Sequence, residues 1–314
     1  MYTNPIFLKT VEANIDGRDF IVGDLHGCFD ELNSLLRHIK FNTSSDRLFS
    51  TGDLLDRGPK SLDCMSLLGK NWFFPVLGNH EDIILEKISM IENEQTESLN
   101  AEEINYIKQF TKYKKQIFDM PLVYEVKHLI HGSLYIVHAE ILPEHLNNFN
   151  EDTDGKNEYQ KYSSAMQNFD FSSTIQEFFL KNKNSIIDYG LKQKMLWSRK
   201  NVSSFYKNNK EEIENSNFSF LEQNNFLSKN KIFCGHNIVP FPMKIGQQYY
   251  IDTGAALGYS SKELNYNLFS QFGHEFFTLS LVDATTGICY GYVTSGDKKG
   301  KVFKLEQPIY FNEQ

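Results

Sequence analysis

The amino-acid sequence predicts a single-domain α/β protein in which two packed β-sheets are flanked by helices. Three observations carry that expectation. As far as Ile91, short apolar runs of β character alternate with segments of helical periodicity. The carboxyl-terminal third is mostly strand-like. The 314 residues are 40% hydrophobic and 23% charged, the balance of a folded globular chain long enough for a sizeable core.

In order along the chain, Phe20 to Val22 reads as a strand that ends at Gly23-Asp24, and Cys28 to Ile39 then carries Leu32, Leu35, Leu36 and Ile39 at helical spacing. Arg47 to Ser50 is the next strand, ending at Gly52-Asp53 before a helix from Ser61 to Leu68. Trp72 to Leu77 ends at Gly78-Asn79-His80, and a third helix is predicted from Asp82 to Ile91. Each run delivers polar residues at its carboxyl end, where open α/β sheets bind their ligands. Further on, Ile104 to Phe118 reads as helix and Leu134 to Val137 as a strand ending at His138. Leu146 to Lys161 and Asn201 to Asn230 are polar, Asn-rich stretches expected on the surface, with a helix from Ser173 to Leu180 between them. Lys231 to Cys234, Gln248 to Ile251, Phe276 to Val282 and Ile288 to Val293 complete the strands. One domain, 1–314, is expected, with insertions around 92–120, 143–190 and 201–228.

The formal charge of -8 argues against a general nucleic-acid binder, which needs clustered Lys and Arg. A phosphate-bearing substrate stays open, because bound metals can reverse the local field. Met1 to Asp19 has no secretory pattern, and no segment is apolar for long enough to span a bilayer. Cys28, Cys64, Cys234 and Cys289 are scattered, which suits free thiols in a reducing compartment. A cytoplasmic protein is expected; export that needs no amino-terminal signal leaves no trace in these residues.

Five clusters carry chemistry. Gly23-Asp24-Leu25-His26-Gly27 places a carboxylate and an imidazole two apart on a tight turn, enough to hold one metal; alone, such a turn could equally be a helix cap. In Gly52-Asp53-Leu54-Leu55-Asp56-Arg57-Gly58, Asp53 can bridge two metals through its two oxygens, and Arg57 offers a planar fork to phosphate. An isolated Asp-Arg would be a surface ion pair of little worth, so its neighbours decide the reading. Asn79 of Gly78-Asn79-His80-Glu81 can give a neutral oxygen ligand, and His80 can act as proton donor or phosphate contact. His138 of His138-Ala139-Glu140 and His236 of Gly235-His236-Asn237 each follow a predicted strand. A lone histidine is more often a satisfied core residue; five clusters together favour a site.

The ordered set GDLHG, GDLLDRG, GNHE, HAE and CGHN resembles the phosphoprotein phosphatase family within the calcineurin-like metallophosphoesterases, in particular its bacterial and bacteriophage lambda branch. Trp72-Phe73, Trp197-Ser198-Arg199 and Tyr250-Ile251-Asp252-Thr253-Gly254 fit the same branch. The resemblance implies two packed mixed sheets flanked by helices. It also implies a pair of divalent metal ions, with Asp24 and His26 on the first, Asp53 bridging, and Asn79, His138 and His236 on the second. Arg57 and Arg199 match the residues that clamp the substrate phosphate, His80 matches the general acid, and Asp56 its orienting partner. The implied reaction is hydrolysis of a phosphoprotein or phosphopeptide monoester by a metal-activated water. Serine or threonine is the expected leaving group, with tyrosine open. Mixed Asn, His and Asp ligands suit manganese, iron or zinc, and the resemblance implies manganese first.

Two other functions compete. Symmetrical diadenosine tetraphosphate hydrolases share GDLHGC, but resemble a pattern with Ala in place of Asp56 and GNHD in place of GNHE, so Asp56 and Glu81 favour the phosphoprotein branch. A phosphoprotein-binding module that kept the fold and lost turnover would be expected to lack a ligand or the proton donor, and here all are present.

Overall fold

The computed structural model describes residues 6–141, 189–200, 202–203, 231–245, 248–259 and 277–304. The amino-terminal half runs β1 (Leu8–Val11), β2 (Asp19–Val22), α1 (Phe29–His38), β3 (Arg47–Ser50), α2 (Ser61–Met65), β4 (Phe73–Pro75) and α3 (Asn79–Glu92). It continues through α4 (Ala101–Lys108), α5 (Lys114–Phe118), β5 (Val123–His128) and β6 (Gly132–Val137). After α6 (Tyr189–Trp197) come β7 (Lys231–Cys234), β8 (Met243–Ile245), β9 (Gln248–Tyr250), β10 (Thr278–Asp283), β11 (Cys289–Val293) and β12 (Val302–Lys304).

These strands form two six-stranded mixed sheets, ordered β1-β5-β6-β7-β9-β8 and β12-β11-β10-β2-β3-β4. Successive side chains of a strand point to opposite faces, and here both faces are covered. On β2, Phe20 and Val22 join the larger core while Ile21 joins a second cluster. On β6, Tyr135 and Val137 divide from Leu134 and Ile136 in the same way, and on β7, Ile232 and Cys234 divide from Phe233. The second cluster draws Ile21 and Phe49 from one sheet and Ile136, Phe233 and Tyr249 from the other, so it is the layer between the sheets. The larger cluster holds Leu32 and Leu35 of α1 and Ile84 and Ile88 of α3, the layer beneath the helices. Burial on both faces is why these strands read as continuous apolar runs.

The predicted α/β class with two packed sheets is therefore observed. Three details differ. The helix expected over Ile104 to Phe118 is broken: α4 stops at Lys108, a 3-10 turn spans Thr111–Tyr113, and α5 follows. Phe110, at that break, is fully buried. The 92–120 segment, expected as an insertion, also contributes Ile107, Phe110, Ile117 and Met120 to the main core. β1, β5, β8 and β12 were not anticipated. The expected helix from Ser173 to Leu180 and almost all of the 143–190 and 201–228 insertions lie outside the described residues.

Among the described residues, no helix is long and apolar enough to cross a membrane. All four cysteines are buried free thiols. Burial pushes each thiol upward in pKa, away from a reactive thiolate, so packing accounts for them.

Candidate active site

Every predicted site residue but Arg199 follows the carboxyl end of β2, β3, β4, β6 or β7, or opens the helix after it. Pairs β2-β3, β3-β4 and β6-β7 are parallel, so these ends lie on one edge of the molecule. Asp53 is the centre. Its Oδ2 lies 3.3 Å from His26 Nε2 and 3.9 Å from His80 Nε2, and its Oδ1 lies 3.6 Å from His138 Nε2. Burial alone would raise the Asp53 pKa, but His138, His26 and His80 more than reverse it, and the carboxylate is held far below its usual range.

Two of the imidazoles are fixed in tautomer. His26 Nδ1 meets the Leu55 carbonyl at 2.8 Å and His138 Nδ1 meets the Thr51 carbonyl at 2.7 Å. A carbonyl can only accept, so both Nδ1 atoms carry a proton, and both Nε2 atoms are turned to Asp53. His138 Nε2 also lies 2.8 Å from Asn79 Oδ1. Burial, followed by the charges of His138 and Arg199, lowers the His236 pKa to about 2, so this ring is neutral. Its Nε2 is buried with no hydrogen-bond partner. A buried polar atom without a partner costs free energy, and such an atom facing a carboxylate and a second imidazole is what a metal ligand looks like before the ion is added. Among the described residues, two overlapping groups can hold an ion: His26, Asp53 and His80, and Asp53, His138 and His236; within each group the ligand atoms lie within 4.8 Å of one another. The residues fit a divalent pair.

Asp24 is in the same pocket but outside both groups. Its Oδ1 accepts from Thr51 Oγ1 at 2.7 Å and its Oδ2 from the His236 backbone N–H at 2.9 Å. Burial, with the charges of Asp252 and Asp53, holds its carboxyl well above the usual range. Asp252, buried just after β9, is raised as well, by burial first. Positive charge in this pocket would relieve all three carboxylates.

The turns that present these groups are strained. Of the seven described non-glycine residues with positive φ, five are His26, Asp53, Asp56, Arg57 and His236. Such strain persists where the surroundings over-determine it. Glu81 supplies one restraint: its Oε2 accepts from the N–H groups of Asp53 (2.8 Å) and Gly78 (3.1 Å), and its Oε1 accepts from Leu54 (2.7 Å). Burial and the Asp53 charge push the Glu81 carboxyl up to about 8, yet both its oxygens face N–H donors, which the ionised form satisfies. Close approach supplies another restraint, since a Cβ on Gly78 would sit 2.2 Å from Asp53 Oδ1 and one on Gly235 would sit 2.0 Å from Asp24 Oδ1.

At the rim, His80 Nδ1 and Asp56 Oδ2 are 2.5 Å apart. Burial pulls the His80 pKa down, but the Asp56 hydrogen bond and the charges of Asp53 and Asp56 outweigh it, and the net shift is upward. Arg57, exposed, places Nη1 2.8 Å from His26 Nε2 and Nη2 3.2 Å from His80 Nε2. Arg199, just beyond α6, donates from Nη1 to the His236 carbonyl at 3.1 Å. Its segment is held by Glu140, which accepts from Ser198 Oγ (2.7 Å) and Tyr250 OH (2.9 Å), and by Asn237 Nδ2, which donates to the Ser198 carbonyl (3.0 Å). Arg57 thus reaches the imidazoles of His26 and His80, and Arg199 the backbone of His236.

Sequence reasoning missed Thr51, Tyr106 and Asp252 as site residues and gave Glu81, Glu140 and Asn237 no task. Asp252 stood within a motif already noticed. Thr51 and Tyr106 carry no local signal, because their partners are far away along the chain.

A two-sheet α/β fold with a buried carboxylate among imidazoles and arginines at the rim defines a metal-dependent phosphoesterase class. Residues 20–275 match the calcineurin-like phosphoesterases, and the chain belongs to that family. A dinuclear metal centre is the family's shared device. The chain is 49% identical over 78 residues to serine/threonine-protein phosphatase 1 of Salmonella typhimurium, covering 25% of this chain and 36% of that protein. It is 37% identical over 131 residues to the symmetrical bis(5'-nucleosyl)-tetraphosphatase of Actinobacillus pleuropneumoniae, covering 40% of this chain and 46% of that protein. In both cases the matched region is less than half of the relative's length. The solved structure of a cold-active protein-tyrosine phosphatase from a Shewanella species superposes with a TM-score of 0.43 at 13% identity, covering 98% of this chain and 83% of that one.

Proposed function

We propose that this chain is a metal-dependent phosphoprotein phosphatase that hydrolyses phosphoserine or phosphothreonine, with phosphotyrosine as a further substrate. The observation that carries this reading is the Asp56–His80 contact of 2.5 Å, a carboxylate-oriented imidazole at the rim of the Asp53 pocket. Asp24, His26, Asp53, Asn79, His138 and His236 would hold two divalent ions; their mixed oxygen and nitrogen donors suit manganese, iron or zinc, and the family resemblance puts manganese first. When bound, such a pair supplies Lewis acidity and lowers the pKa of water to about 7.

The chain's own groups do the rest. Arg57 and Arg199 bind the equatorial phosphate oxygens and stabilise the charge that redistributes during transfer. His80, oriented through Nδ1 by Asp56, presents Nε2 to the leaving oxygen and protonates it. Glu81 and the backbone turns keep Asp53 in place meanwhile, so little reorganisation accompanies the reaction. No side-chain nucleophile is needed, which agrees with four buried thiols. We read 1–314 as one catalytic domain, with residues 92–120 built into its core.

A symmetrical dinucleoside tetraphosphate hydrolase is the second reading. It is supported by the longer match, 131 residues against 78. Asp56 and Glu81 support the first. Turnover of a phosphoserine peptide and of diadenosine tetraphosphate, measured side by side with manganese supplied and metal content determined, separates them. The first reading expects a higher kcat/KM on the peptide; a strong preference for the dinucleotide would replace it. Equal phosphate release by wild type and His80→Asn would instead point to a binding module.

A further inference from the structure

We propose that Tyr106 is a positioning residue for the leaving-group step, fixing the Asp56 carboxylate and, through it, the His80 imidazole. The proposal rests on the reading that His80 protonates the leaving oxygen. Asp56 is gripped at both ends: Tyr106 OH donates to Oδ1 at 2.5 Å, while Oδ2 lies 2.5 Å from His80 Nδ1. Without the tyrosine this carboxylate would be loosely held. Its side chain is 28% exposed, its backbone has φ of 70°, and rotation about its terminal bond is soft. Water at Oδ1 would leave the ring of His80 free to swing with the carboxylate.

Tyr106 is well placed to remove that freedom, because α4 itself is anchored. Ile107 and Phe110 are buried in the main core, and the Tyr106 ring meets the Phe110 ring edge at 5.0 Å. At the start of the helix, Asn100 Oδ1 accepts from the Glu103 N–H at 2.9 Å, and Glu103 Oε2 accepts from the Asn100 N–H at 3.0 Å. A half-exposed tyrosine usually turns its hydroxyl to water. This one turns it to a carboxylate 50 residues away in sequence. The 92–120 segment thereby brings a group to the rim of the site as well as residues to the core.

The test uses the manganese-loaded protein and two substrates, a phosphoserine peptide, whose alkoxide must be protonated, and p-nitrophenyl phosphate, whose phenolate leaves without help. Tyr106→Phe should lower kcat on the peptide about tenfold, change kcat on p-nitrophenyl phosphate less than about twofold, and leave KM and metal content alone. In an Asp56→Asn background the same substitution should have no further effect, as expected for a residue that acts through Asp56. Equal losses on both substrates, no loss on either, or full additivity with Asp56→Asn overturns the assignment. His80→Asn is the control for the reading beneath it. If His80→Asn shows the leaving-group bias and Tyr106→Phe does not, Tyr106 alone is wrong; if His80→Asn lacks the bias, the acid role falls and the proposal falls with it.

Discussion

Glu81→Gln removes one acceptor from a buried position where three backbone N–H groups converge. The best placement of the amide keeps its oxygen at the former Oε2, facing Asp53 and Gly78, and turns its NH2 against the Leu54 N–H. Two donors then oppose each other in a site with no exposure to water. Each buried polar group left without a partner costs about 1–3 kcal/mol, so the pair costs roughly 2–6 kcal/mol. At about 2 °C per kcal/mol for a chain of this size, melting should fall by roughly 4–12 °C. Glu81→Ala, which strands all three N–H groups, should fall further. Calorimetric melts of the metal-free protein above pH 8, where the Glu81 carboxyl is ionised, read both variants. A Glu81→Gln variant that melts within about 1 °C of wild type would refute the reasoning, because it would mean that the carboxyl is already neutral and is no anionic brace.

Asp53→Asn should cost the protein both ions, since both candidate groups share that carboxylate; metal analysis after gel filtration that still finds two per chain would contradict the bridge. Arg199→Ala should lower kcat/KM on a phosphopeptide about 10- to 100-fold, the worth of one charge-assisted contact of ~1.5–3 kcal/mol, with metal content unchanged. Unaltered kinetics would show that another group holds the phosphate. Gly235→Ala puts a Cβ 2.0 Å from Asp24 Oδ1 and 2.4 Å from Thr51 Oγ1, so it should destabilise by about 1–3 kcal/mol in urea titrations. A midpoint equal to wild type would show that the turn yields at no cost.

The strand-turn-helix units of the first half were legible because each apolar run stops at a glycine followed by Asp or Asn, and helical spacing resumes within a few residues. β2, β3, β7 and β11 begin and end within one residue of their sequence reading. The strands that escaped are mainly edges. β1 and β8 close one sheet and β12 closes the other, and an edge strand is short, half-covered and free to carry polar residues such as Lys9, Lys244 and Lys304. The candidate site was legible as a set of residue types at strand ends. Its restraints were not, because the Glu81 brace, the Thr51 contact to Asp24 and the Tyr106 contact to Asp56 join residues whose pairing only the fold decides.

The four imidazoles around Asp53 come from different halves of the sandwich. His26 and His80 follow β2 and β4 of one sheet, while His138 and His236 follow β6 and β7 of the other. Ions seated there would tie the two layers together at one seam, much as a cross-link would, and occupancy would then be felt along the apolar layer that joins them. Amide exchange at Ile21, Phe49, Ile136 and Phe233, all in that layer, should accordingly slow when manganese is added and quicken on chelation.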